Sequence, residues 1–193
     1  MTVTTDGVTT ARGPHGLLMV HRPVDGVSEY CGVTAGVGSR DEHSPERYGL
    51  AHFVEHTIFK GTSRRTDTYI INRMEAVGGE LNAFTTKEET TVYAAMPAGN
   101  YRRATALIAE LVTESTFPTR KIDREREVIA DEIDSYLDSP ADGVFDLYDE
   151  MMWAGNSMAH NILGTKESVD GIDSAMCRDF LCRHFTADNM VYF

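Results

Sequence analysis

Two histidines stand four residues apart in the stretch YGLAHFVEHTIFKGT, and a glutamate directly precedes the second. On a helix His52 and His56 project from one face, because four residues carry a side chain only about 40° past a full turn. Two neutral imidazoles so placed can grip one Zn2+ at about 2.0–2.1 Å. Glu55, three residues after His52, falls close enough to that face to take a proton from water whose pKa the metal has lowered. The order H-x-x-E-H reverses the commoner H-E-x-x-H, and both serve the same hydrolytic chemistry. A solvated helix face carrying His and Glu is the competing reading, so the motif calls for a third ligand elsewhere in the chain.

The stretch REREVIADEI offers Glu125, Glu127 and Glu132. Glu125 and Glu132 are seven residues apart, two helical turns, and share a face, whereas Glu127 is turned away. Glu132 can serve as the third ligand while Glu125 supports an imidazole from behind, an arrangement that orients metal-bound histidines. A charged solvent face accounts for these two glutamates equally well. It is the better account of Arg124, Arg126 and Glu127.

The elements that must position these groups can be read from pattern. Two strands, GLLMVHRP and EYCGVTAGVGS, are expected between Val8 and Val37, with the turn PVDG between them. HSPERYGLAHFVEHTIFKG reads as one helix, with Ser44 as N-cap, Pro45 at the first position and Gly61 past the end. TDTYIINRMEAV gives a second helix. ELNAFTT and TTVYAAMP form a hairpin about KEE. NYRRATALIAELVTES and TRKIDREREVIADEIDSYLD are helices, the latter stopped by Ser139-Pro140. DGVFDLYDEMMW and SAMCRDFLCRHF are helices flanking an irregular segment, and NMVYF opens a strand. Strands and helices in this order give an α+β fold, a mostly antiparallel sheet with helices on one face.

HFVEHTIFKGT, GGELNAFTTKEETTVYAAMP, REREVIADEI and NILGTKESV together resemble the M16 metallopeptidases, the inverzincins that include the mitochondrial processing peptidase β-subunit and pitrilysin. The family sets its third ligand about as far beyond its motif as Glu132 lies beyond His56. The resemblance therefore implies zinc held by His52, His56 and Glu132, with Glu55 as general base and Glu125 as an assisting acid. It likewise implies that LNAFTT is an edge strand pairing with an extended peptide by β-augmentation, with Asn82 and Ala83 beside the scissile bond. An ordinary hairpin accounts for Phe84 and Thr85. The resemblance runs from about Thr9 to the end and is to the N-terminal catalytic half only. Residues 1–193 are accordingly expected to form a single domain lacking its last strand and helix and the homologous second half. The function implied is a zinc-dependent endopeptidase acting on extended peptides, completed by a homologous M16-like partner subunit or by homodimerisation. The alternative is a non-catalytic peptide-binding or assembly subunit with a vestigial zinc site.

Composition narrows the field further. A chain of 193 residues with 41% hydrophobic and 25% charged residues is that of a globular domain. A formal net charge of −12 disfavours nucleic acid and anionic membrane surfaces and attracts basic peptides. Cys31, Cys177 and Cys182 are odd in number and lack C-x-x-C spacing, which reads as reduced thiols in a cytoplasmic protein. No apolar run is long enough to span a bilayer. His160 and His184 have no partner at metal-ligand spacing and stand outside the expected site, and Met151, Met152 and Trp153 read as core or interface filling.

Overall fold

The structure is a computed structural model that describes residues 2–193. The chain opens with a hairpin, β1 (Thr2–Thr5) and β2 (Val8–Arg12), turned by Asp6-Gly7 with positive φ at both residues. Two central residues with positive φ, the second a glycine, suit the twist of a tight hairpin. Then come β3 (Leu18–His21) and β4 (Ser28–Ala35), so three strands, not two, lie between Val8 and Val37. The missed strand VTTAR is rich in β-branched residues but has no clean apolar alternation to announce it.

After α1 (Leu50–Thr57) and α2 (Asp67–Glu75) the expected hairpin forms as β5 (Glu80–Thr85) and β6 (Thr90–Pro97). α3 (Tyr101–Glu114), α4 (Thr119–Leu137) and α5 (Pro140–Met152) follow. The segment read as irregular contains a short helix, α6 (Lys166–Gly171), capped by the Thr165 hydroxyl. α7 (Ser174–His184) leads to β7 (Met190–Tyr192).

The seven strands form one sheet in the order β1-β2-β3-β7-β4-β6-β5. Every described pairing is antiparallel except that of β3 with β7, so the fold is α+β as expected. The alternating residues of β4 and β6 do the packing. Cys31, Val33 and Ala35 with Val92, Ala94 and Met96 point into the core. α1 and α3 lie on that face, α3 contributing Ala104, Leu107, Ile108, Leu111 and Val112 at helical spacing. Tyr30 and Phe84, whose side chains alternate to the opposite face, are exposed. β5 stands at the sheet edge, bonded to β6 on one side and to no described strand on the other.

α1 is shorter than the sequence suggests. Pro45–Arg47 make an isolated 3-10 turn, and the chain reverses at Gly49, whose φ is 88°. Only glycine adopts that conformation without strain, so the helix begins at Leu50 and not at Pro45.

Candidate metal centre

α1 has eight residues, too few to hold together by backbone hydrogen bonds alone. Burial holds it: Leu50, Ala51, Phe53, Val54 and Thr57 are sunk in the core, and His52 is only 6% exposed. Its N-terminal amides are satisfied from a distance. The Glu42 carboxylate accepts from the N–H groups of Gly49 (2.8 Å) and Ala51 (2.7 Å), where Gly49 itself has no side chain to cap with.

α4 crosses α1 and presents Ile122, Glu125, Ile129 and Ile133 as its buried stripe. A glutamate in such a stripe requires partners. Glu125 has two: its Oε1 lies 3.2 Å from His56 Nδ1 and its Oε2 2.7 Å from Lys60 Nζ. Two turns further on, the half-exposed Glu132 reaches back towards α1. Its Oε2 lies 3.7 Å from His52 Nε2 and 3.4 Å from His56 Nε2.

Ligand atoms of His52, His56 and Glu132 all fall within 4.8 Å of one another. A tetrahedral zinc with bonds of about 2.1 Å holds its donors roughly 3.4 Å apart, so two of these spacings already suit one ion. The donor chemistry agrees. With Nδ1 of His56 donating to Glu125, its Nε2 carries the lone pair and faces Glu132 and His52.

Electrostatics separates the two histidines. Burial, aided by the charge of His56, pushes His52 down to about 3, so its imidazole stays neutral. Burial works in the same sense on His56, but the hydrogen bond to Glu125 and the charges of Glu132 and Glu55 outweigh it and raise the value. Burial would lift Glu125, yet the bonds from His56 and Lys60 hold it below the usual carboxylate range. Burial raises Glu55, opposed by its neighbours Thr85 and His56. A cluster of three glutamates and two imidazoles is what a divalent cation would neutralise.

Glu55 and His52 line a pocket of about 260 Å³, walled by Phe84 and Thr85 of β5 and by Asn161, Ile162 and Leu163. Phe84 and Thr85, read from sequence as plain hairpin residues, therefore stand at the site, while Asn82 and Ala83 do not line this pocket. Period-two alternation turns Thr85 to the helix-facing side of β5 with Leu81 and Ala83, but it turns Phe84 to the other, so the place of Phe84 at the pocket had no local signal. Two further groups take defined surroundings. His160 has a carboxylate partner after all, its Nε2 lying 3.1 Å from Glu42 Oε2. Met151, Met152 and Trp153 are exposed, Met151 by 81%, so of core and interface filling only the interface reading is left.

Comparison with known proteins follows the same line. The family profile for insulinase, peptidase family M16, matches residues 18–166. An uncharacterised zinc protease of Bacillus subtilis, YmxG, is 36% identical over 160 residues, covering 83% of this chain and 39% of that protein. The probable mitochondrial-processing peptidase subunit beta of Arabidopsis thaliana is 36% identical over 160 residues, 83% of this chain and 30% of the relative. The chain thus spans less than half the length of these relatives. The first half of the periplasmic protease PqqL from Escherichia coli superposes with a TM-score of 0.88 at 23% identity, over 97% of this chain and 42% of that one.

Proposed function

Because this chain belongs to peptidase family M16, we propose that it is the zinc-binding half of an endopeptidase that hydrolyses extended peptides. The observation that carries this reading is the meeting of His52, His56 and Glu132 around one point, with Glu55 on the same short helix beside a pocket. In this reading His52, His56 and Glu132 hold the ion. Zinc, when bound, supplies a Lewis acid that polarises a carbonyl and makes water more acidic.

The chain's own groups do the rest. Glu125 fixes the tautomer and tilt of His56. Glu55 takes a proton from water and passes it to the departing amine, a role that suits a carboxylate whose basicity burial has raised. The free edge of β5 offers Asn82 and Ala83 for backbone pairing with an extended substrate, which sets register before chemistry. The described lining of the neighbouring cleft of about 1180 Å³ contains no lysine or arginine, in keeping with the excess negative charge.

Residues 1–193 act in this reading as one domain whose opposite wall comes from a homologous second half or partner subunit. Support comes from α5, which exposes Phe145, Tyr148 and Met151, and from the larger size of the relatives. The three cysteines are unpaired, which fits a reducing, cytoplasmic setting.

The test pairs two variants. Glu132→Gln is expected to lose most of the zinc found in purified wild type by metal analysis. Glu55→Gln is expected to keep the zinc but to cut a quenched fluorescent peptide at least about 100-fold more slowly, given partner or second half. Undiminished zinc in the first, or undiminished cleavage in the second, defeats the corresponding assignment.

A further inference from the structure

Three segments that are remote in sequence close a ring of contacts around the pocket. The segment 38–42 bonds the tip of the β5–β6 hairpin, Ser39 N–H donating to the Thr86 carbonyl (3.2 Å) and Arg40 N–H to the Lys87 carbonyl (3.0 Å). A Cβ on Gly38 would collide with Thr86, so glycine permits this approach. The Lys87 ammonium, on a side chain only 12% exposed, turns to the loop that follows α5 and donates to the carbonyls of Met158 (2.8 Å) and His160 (3.0 Å), while pairing with Asp149 at 3.1 Å. The same loop returns to the first segment through the buried pair of His160 and Glu42, with His160 stacked on Tyr48 at 3.8 Å. Glu42 caps α1. Each segment of the ring borders something the pocket needs: the capped helix bears His52 and Glu55, the hairpin bears Phe84 and Thr85, and the loop leads into Asn161 to Leu163.

We infer that this ring is the device that sets the edge strand against the motif helix, with Lys87 a positioning residue for the peptide and Glu42 a positioning residue for the zinc-binding histidines. The inference rests on the function proposed above. Lys87 touches neither metal donors nor Glu55. It acts by tying the hairpin turn to the wall loop and to α5, its ammonium reaching the Met158 and His160 carbonyls and the Asp149 carboxylate. A hydrogen bond to a charged group that is this well buried is worth enough to shift an equilibrium by about tenfold or more. Groups joined in one network respond together, whereas separate supports respond independently.

The experiment uses the chain in a Glu55→Gln background, so that an extended fluorescent peptide stays uncut. Zinc affinity is read by chelator competition with the metal alone, and peptide affinity by anisotropy of the zinc form. Lys87→Met is expected to weaken the peptide about tenfold while zinc affinity stays within about twofold, and Lys87→Arg to restore the peptide. Glu42→Gln is expected to weaken both. The double variant is expected to depart from the product of the singles by about threefold or more. Independent effects, or a Lys87→Met protein that holds peptide as well as its parent, would overturn the ring. Should the parent bind no zinc, the proposed function falls. The ring is then judged by hydrogen exchange alone, with faster exchange at residues 84–85 and 162–163 in Lys87→Met sustaining it and unchanged exchange refuting it.

Discussion

His52 and His56 are the same side chain one turn apart, yet their surroundings drive their proton affinities in opposite directions. His52 is sealed in the core face of α1. His56 leans on Glu125 and faces Glu132. The contrast has a consequence for stability in the metal-free protein. Folded His52 stays neutral down to about 3, whereas in the unfolded chain it takes up a proton near 6.5, the ordinary value for histidine. The unfolded form then binds more protons, so His52 costs stability as pH falls through that window. His56, with its raised value, acts in the opposite sense and favours the folded form as it charges. Urea unfolding in excess chelator should therefore show a flatter acid limb between about pH 6.5 and 3 for His52→Gln than for wild type. Equal slopes would contradict the burial assigned to His52. The spacing of the motif made His52, Glu55 and His56 legible because helical periodicity is a local property. The His160–Glu42 pair was not legible, since its members are 118 residues apart and their distance is set wholly by tertiary packing.

Among the elements, α1 shows where local signals mislead. Ser44 and Pro45 look like the start of a helix, and they do begin a single turn, but Gly49 then takes the chain into left-handed space. The helix is restarted by a carboxylate seven residues upstream, which no capping rule for adjacent residues would find. Gly49 is doubly constrained: its φ is 88°, and an added Cβ would come within 2.5 Å of the Leu163 carbonyl oxygen. Gly49→Ala is expected to destabilise the fold by about 1–3 kcal/mol, read as a lower urea midpoint at unchanged m. A midpoint equal to wild type would mean that the helix can start elsewhere. The long helices were easier to read. The stripes of α3 and α4 repeat at helical spacing, and even the anomaly in the α4 stripe, Glu125, proves to be the residue that braces His56.

On the scale of the whole molecule, the sheet is covered on one face by α1, α2 and α3, α7 packs against α1 and α3, and α5 stands out with a run of exposed apolar side chains. Val144, Phe145, Leu147, Tyr148, Met151 and Met152 are all more than half exposed. Contiguous apolar surface on this scale marks an interaction site. The isolated chain is expected to self-associate or to bind a homologous second half, and in either state to cleave peptide faster than as a monomer. Sedimentation with parallel peptide assays checks this. A stable monomer with full turnover would remove the need for any opposing wall. The fold class was legible because alternation in β4 and β6 and periodicity in α3 and α4 agree with one another. The hairpin β1–β2 was harder to see, having threonines where a buried strand would show aliphatics.

The two imidazoles and the carboxylate that meet in one place are separated along the chain by a hairpin and two whole helices. A ribosome therefore releases the histidines long before it has made the third donor, and a nascent chain can offer an ion only two of the three teeth. Assembly of the site waits on assembly of the sheet. On the function proposed above, an unfinished copy of the polypeptide would hold the ion by two donors at most and would not yet cut peptide.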